Sequence, residues 1–451
     1  MIRNRDALLD GAQAPALAEL ALDCVEAGIR AADPERATRE RVRLEGGQLT
    51  VGGDTYDLAE YDRILVLGGG KAAAGVARGL EATLGDRLSG GVVGVPSDAD
   101  TSGLDRAEAV TAGHPTPTEG SVTAGQRVLA AARDADARTL VLTVVTGGGS
   151  ACLAAPAGDL ALADLRDVTE ALLAAGADID ETNAVRKHLS ALKGGHLARV
   201  AAPATVVGLL VSDVVGDDPA VVGSGPTAPD RTTYGDALDV LYRYAIDPPA
   251  VRAHLEAGAR GDHPETPDAE DGAFDRVTNH VLAGARTALD AARDRAAAAG
   301  YDPLVLSSRV RGEAQEAALT GVAVAEEALA TGDPVDPPAV VLSGGETTVT
   351  VRGDGTGGPN GEYALRVALE FGGTDAPVAL ACVDTDGRDG SAEAAGALVD
   401  PGTIEDPAAA RDALARSDSH GHLGDRGALV RTGATGTNVN DLRVLVVGRD
   451  G

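Results

Sequence analysis

Tryptophan is absent from these 451 residues, phenylalanine occurs twice and methionine once. A core without large aromatics has to be filled by Ala, Val and Leu, and a hydrophobic content of 44% is enough to do it. Cysteine is scarce as well: Cys24, Cys152 and Cys382 are scattered, and none belongs to a C-x-x-C pair. Such a set excludes a disulfide framework and a zinc site, and it suits a reducing compartment. No apolar run is long enough for a membrane span, and no charged-then-apolar leader opens the chain. The expectation is a soluble, cytoplasmic protein.

Positive charge is the other deficit. The 39 basic residues face 69 acids, for a net charge of −30 and a pI near 4.5. A field of that sign repels nucleic acid and anionic membranes, so neither is expected as a partner. Acid-rich, lysine-poor usage is similar to that of cytosolic proteins from salt-loving archaea, where salt shortens the screening length to roughly 3 Å at 1 M. Lys71, Lys187 and Lys193 are the only lysines, and arginine supplies the other 36 basic residues. A lysine kept against that bias is expected to do what arginine cannot, such as set a compact point charge on a phosphate.

The length predicts two or three domains. Residues 5–31 carry helical spacing, broken near Pro15, and are expected to pack on the first domain. Residues 41–56 read as hairpins turning at Gly46-Gly47 and Gly52-Gly53. The chain is then organised around Arg63 to Leu80: an apolar strand, the run Gly68, Gly69, Gly70, and a helix opening on Lys71. A strand-to-helix turn of this kind aims backbone N–H groups at an anion. The pattern returns at 139–151, where a strand feeds Gly147, Gly148, Gly149 and Ser150. Two such turns at the carboxyl ends of parallel strands predict one shared phosphate or carboxylate site. His114, between Gly113 and Pro115, has no nearby carboxylate in sequence and reads as a structural loop residue.

Residues 181–198 read as one helix whose polar face carries Asn183, Arg186, Ser190 and Lys193 and no acid. In so acidic a chain, that face is expected to look into an anion site. Strand 205–211 ends in Ser212-Asp213 and leads to Asp217, and strand-end carboxylates suit Mg²⁺ bridged to phosphate, Asp213 ahead of Asp217. Proline and acid clusters over 245–275 predict the domain boundary there, giving domains 1–255 and 275–451. Beyond it, a helix is expected over 281–299, and polar loops at strand ends bring Asn360, Glu362, Asp386 and Asn438 forward as nucleotide ligands. Two α/β lobes with such loops predict a site in a cleft.

Glycine turns, a helix-start lysine, a cationic face and strand-end aspartates are what phosphoryl transfer asks for, since positioning and charge neutralisation do most of its catalysis. Ala72 follows Lys71, which excludes a Walker A loop. The motifs GGGKAA (68–73), GHPTP (113–117), TGGGSA (146–151), NAVRKHLSALKGGHLA (183–198), SDVVGDDP (212–219), SGPTAPD (224–230), GGETTVTV (344–351), DTDGRDG (384–390) and TGTNVNDL (435–442) together resemble the glycerate 2-kinase family across nearly the whole chain. The resemblance implies transfer of phosphate from ATP, with Mg²⁺, to the 2-hydroxyl of D-glycerate. It also implies a larger Rossmann-like N-terminal domain, a smaller mixed α/β C-terminal domain, an active site between them, and a catalytic role for Lys71. Where similar sequences usually read GGRNQE, residues 357–362 read GGPNGE, so Arg352, Arg366 or Arg388 would have to replace the missing arginine.

Two other readings stay open on the residues alone. The spacing Gly68-x-Gly70-x-x-Ala73 passes for a dinucleotide turn, as in an NAD(P)-dependent hydroxypyruvate reductase, with Asp98 as its acidic partner. A non-catalytic sensor of sugar acids or nucleotides is the other. The sequence leaves the oligomeric state, a homodimer included, open.

Overall fold

A computed structural model describes residues 1–390 and 392–449. The chain forms two compact units: residues 34–282 make one, and residues 1–33 join 283–451 in the other.

The unit 34–282 opens with strands β1 (Val42–Glu45), β2 (Gln48–Val51) and β3 (Asp54–Asp57), paired antiparallel. Their turns fall at the expected glycine pairs, all four with positive φ. The main sheet takes β4 (Arg63–Gly69), β5 (Gly90–Pro96), β6 (Ala107–Ala112), β7 (Thr139–Thr146), β8 (Thr205–Val211) and β9 (Val277–Ala283) in the order β6-β5-β4-β7-β8-β9. The pairings from β6 through β8 are parallel. Every residue of β7 and β8 is buried, as continuous Val/Leu runs in a two-sided sheet require. The strand order reverses between β4 and β7. That is the switch point of a Rossmann-like sheet, where ligands bind beyond the strand carboxyl ends.

The other unit is a mixed sheet of β10 (Asp302–Glu313), β11 (Ala339–Thr348), β12 (Val378–Asp384), β13 (Gly396–Val399), β14 (Leu429–Val430) and β15 (Asp441–Val447). Its order is β10-β11-β15-β12-β13-β14, with β10 and β11 parallel and the other pairs antiparallel.

Three expectations are corrected here. The helix Pro15–Ala31 does not belong with the first domain: its apolar stripe packs on the helix Ala285–Ala298 and on β12 and β15. Gly28 permits the approach, since a Cβ there would lie 2.6 Å from Leu442 and 3.0 Å from the Ala288 carbonyl. The segment 245–275 is no boundary either. Its prolines start the helix Pro249–Ala259, which stays in the first unit, and the break falls after Leu282. The helix expected from 281 begins at Ala285, because Val277–Ala283 forms the outer strand β9.

Close strand packing explains one glycine of the organising turn. Gly68 has φ +147°, and a Cβ on it would lie 1.9 Å from the Val144 carbonyl oxygen of β7. Gly68→Ala is expected to destabilise the protein by about 3 kcal/mol or more through steric and backbone strain. A denaturant midpoint unchanged from wild type would contradict that.

Candidate active site

The two glycine turns look alike in sequence and differ in the structure. At the first, Gly70 N–H donates to Gly94 O (2.9 Å), Lys71 N–H to Gly147 O (2.8 Å) and Ala73 N–H to Gly70 O (3.2 Å). Ala72 N–H donates to Thr146 Oγ1 at 3.2 Å. Gly68, Gly69 and Gly70 are buried, and their turn offers a ligand no open amide at Gly70, Lys71 or Ala72. The expectation of direct anion binding there is corrected. What the turn supplies is the placement of Lys71, whose stem lies 3.2 Å from the Cβ position of Gly148.

The second turn is the open one. The N–H groups of Gly147, Gly148, Gly149 and Ser150 find no acceptor among the described residues. Gly148 holds φ +77°, which lifts the chain from β7 into the short helix Gly149–Cys152. Asp213 reaches this turn from the end of β8: its Oδ2 lies 2.0 Å from the Cβ position of Gly147, so only glycine fits beneath the carboxylate. Asp217 lies in the same loop at φ +57°.

A cavity of ≈ 270 Å³ adjoins this turn, lined on its polar side by His114, Gly148, Ser150, Arg186 and Lys193 and on its apolar side by Leu165, Val168 and Leu189. Among the described residues no carboxylate lines it, in a chain with 69 acids. Arg186 has no carboxylate partner among the described residues, and burial pushes its pKa below the ordinary arginine value. An unneutralised guanidinium remains charged and attracts an anion. Lys193 is 4% exposed, and burial, with Arg186 adding repulsion, pushes it down to about 7. Its Nζ donates to Leu153 O at 2.6 Å. Ser150 Oγ meets Ser224 Oγ at 2.9 Å, and Ser224 donates to Asn183 Oδ1 at 2.8 Å, so Ser150 is held in place by a buried relay.

The single helix expected over 181–198 is broken. Ile179–His188 is helical, the chain turns through Gly194 (φ +56°) and Gly195 (φ +80°), and a second helix runs His196–Ala201. The turn nevertheless brings Lys193 to the wall that Arg186 lines. Ser190 does not face the cavity; its Oγ accepts from the N–H groups of Leu192 and Lys193 and shapes the turn. His114, expected to be structural, stands at the cavity rim, 2.8 Å from the Cβ position of Gly148. Partial burial and the nearby Lys71 push its pKa down. Its signal in the sequence was the GHPTP loop at the end of β6, on the same side of the sheet as both glycine turns.

In the other unit, Asn360 is 1% exposed and fully engaged: Nδ2 donates to Asp441 Oδ1 (2.6 Å) and Asp389 Oδ1 (3.3 Å), and Oδ1 accepts from Cys382. Glu362 is buried with Gln315 at 2.7 Å, and burial raises its pKa. Both are engaged with side chains of the same unit, and Glu362 Oε1 is buried without a hydrogen-bond partner among the described residues. Asn438 is half-buried and accepts the Asn440 N–H in a local turn. Asp386 accepts the Arg388 N–H at 2.8 Å, at the carboxyl end of β12. Burial, together with Asp386 and Asp441, pushes neighbouring Asp384 well above the usual carboxylate range. Of the three arginines weighed for the position of Pro359, Arg366 pairs with Glu370 at 2.8 Å, while Arg352 and Arg388 are exposed.

Residues 20–256 match the family described as Domain of unknown function (DUF4147), and residues 339–441 match the MOFRL family. The chain is 43% identical over 394 residues to an Agrobacterium vitis protein provisionally named a hydroxypyruvate reductase, covering 86% of this chain and 87% of that one. It is 36% identical over 437 residues to the glycerate 2-kinase of Pyrococcus horikoshii, covering 95% and 97%. The crystal structure of the glycerate kinase of Thermotoga maritima superposes with a TM-score of 0.84 at 34% identity, over 96% of this chain and 99% of that one. With both lengths matched almost end to end and the fold shared, the chain belongs to the glycerate kinase family.

Proposed function

We infer that this protein is a glycerate 2-kinase, transferring the terminal phosphoryl group of ATP to the 2-hydroxyl of D-glycerate. The observation that carries the reading is Arg186: a half-buried guanidinium without a carboxylate partner among the described residues, in a cavity that none of the described acids lines. That cavity, at ≈ 270 Å³, is below the ~300–1,000 Å³ of sites for drug-sized ligands. It suits a three-carbon acid better than a whole nucleotide. Arg186 takes the carboxylate, the open amides of Gly147 to Ser150 take phosphate oxygens, and Lys71 neutralises the charge that builds on the moving phosphoryl group.

The residues fit a magnesium ion. Asp213 stands over the open amides, and a single carboxylate beside a phosphate is how this ion is commonly held. Among the described residues no three acid, histidine or cysteine side chains form a metal cluster, so Asp213, with Asp217 second, would hold the ion together with phosphate and water. When bound, it draws charge from the phosphoryl oxygens.

A reductase reading is disfavoured by particular residues. The amides that a dinucleotide turn presents are occupied inside the protein. Asp98, the acidic partner such a turn needs, lies beyond the end of β5 and is exposed. Phosphorus NMR of the product from D-glycerate and MgATP tests the kinase directly. The 2-phosphate is expected; the 3-phosphate would reject the site of transfer, and no product at any KCl concentration up to saturation would reject the kinase. The acidic composition leads us to expect highest activity in molar KCl. Among the described residues no helix is long and apolar enough to cross a membrane.

A further inference from the structure

Lys187 and Lys193 are both buried, yet the fold treats their charges differently. Lys187 Nζ donates to Asp230 Oδ1 at 3.0 Å, so a carboxylate neutralises it. Lys193 has no carboxylate partner among the described residues. One N–H of its amine goes to the Leu153 carbonyl, and the side chain lines the cavity that Arg186 also lines. Burial and Arg186 disfavour a charge on it, against a smaller opposing effect of Cys152. Arg186, on the helix Ile179–His188, is permanently cationic. Cys152, on the helix Gly149–Cys152, is kept protonated by burial, at about 12. His114, at the rim, is itself pushed down by partial burial and Lys71. Lys187 and Asp230, which pack against Gly194, neutralise each other. An amine so placed loses its charge as the pH rises through about 7, and a neutral amine bound through one N–H keeps a lone pair.

We propose that Lys193 is the general base of the reaction, accepting the proton of the substrate hydroxyl inside the cavity. The proposal rests on the kinase reading and adds a role to it. The hydroxyl O–H proton passes to Nζ, giving an ammonium. The freed oxygen pair forms the bond to the γ-phosphorus of ATP. The bond from that phosphorus to the bridging oxygen breaks, and ADP leaves with its electrons. A lysine brought near the working pH by burial and a cationic neighbour is the usual form of such a base. Arg186 then has two effects: it anchors the carboxylate, and before substrate binds it adds to the burial that disfavours a charge on Lys193.

With three lysines in the chain, the charge of each can be read directly. Full-length protein labelled with ¹³C at lysine Cε is titrated by NMR in molar KCl, the resonances being assigned with Lys71→Arg and Lys193→Arg. The Lys193 resonance is expected to titrate near pH 7; titration above pH 9 would overturn the proposal. In kinetics, kcat should fall about tenfold per pH unit below pH 7. Lys193→Arg, which retains a cation but cannot accept a proton, should lose roughly 10²–10⁴ in kcat with KM for D-glycerate little changed. Should that variant not fold, Lys193→Met, uncharged and of similar length, should show the same loss and no acid limb. If Lys193→Arg keeps kcat while Lys193→Met raises KM, Lys193 is a carboxylate anchor and the proposal fails. Wild-type protein that makes no phosphoglycerate overturns the kinase reading itself, and the lysine titration then still reports the charge state separately.

Discussion

Replacing Lys71 with Ala is expected to lower the turnover of D-glycerate at least ~100-fold, the range found when one preorganised group facing transition-state charge is removed. The expectation follows from what fixes this side chain. Its own N–H is tied to Gly147 O at 2.8 Å, and its stem lies against Gly148, in the turn whose amides are open. The ammonium is therefore carried by backbone that two neighbouring strands hold rigid, and little is lost in ordering it when substrate arrives. The effect should fall on kcat more than on KM for glycerate, because the charge it meets is largest in the transition state. Lys71→Arg should restore only part, a planar fork being a poor substitute for a point charge on a phosphoryl oxygen. The variant is expected to fold, since the turn's backbone hydrogen bonds do not involve the Lys71 side chain. Coupled ADP-release kinetics beside thermal melting would check this, and near-normal kcat would remove Lys71 from the mechanism.

The same pair of turns shows what was legible in the sequence. Each strand was readable because a fully buried parallel strand is a continuous apolar run that stops at glycine. Which turn faces the ligand was not readable. The acceptors that close the first, Gly94 O, Gly147 O and Thr146 Oγ1, arrive from other strands. Periodicity likewise found the cationic face of 181–198 but carried the helix through Gly194-Gly195, whose positive φ values turn the chain. Arg186 and Lys193 still line one wall, although not as neighbours on a single helix face. The surroundings of polar residues in the other unit were hidden for a different reason. Asn360 and Glu362 sit in loop-like sequence, but their partners Asp389, Asp441 and Gln315 lie between 29 and 81 positions away along the chain. Local composition carries no sign of such partners. The helix Pro15–Ala31 is the same case: its apolar stripe was evident, and the surface that receives it comes from residues near 285–298 and 441–447.

Lys187 should behave unlike either of the other lysines. Its ammonium is 7% exposed and Asp230 is fully buried, so Lys187→Met leaves a carboxylate without its cation inside the protein. Breaking a buried pair from one side costs about 3–5 kcal/mol, whereas removing both charges is often neutral. Lys187→Met is therefore expected to lose that amount in denaturant unfolding, and Lys187→Met with Asp230→Asn to regain more than half of it. Asp230 also accepts from Thr232 N–H and Thr232 Oγ1, and an amide oxygen at that position can keep both bonds. At a temperature where Lys187→Met is still folded, kcat should stay within a few-fold of wild type, because no lining of the cavity is removed. A large loss of kcat without loss of stability would place Lys187 in the chemistry instead. The three lysines then separate by role: Lys187 holds a buried carboxylate, Lys193 accepts a proton, and Lys71 meets the phosphate in transit.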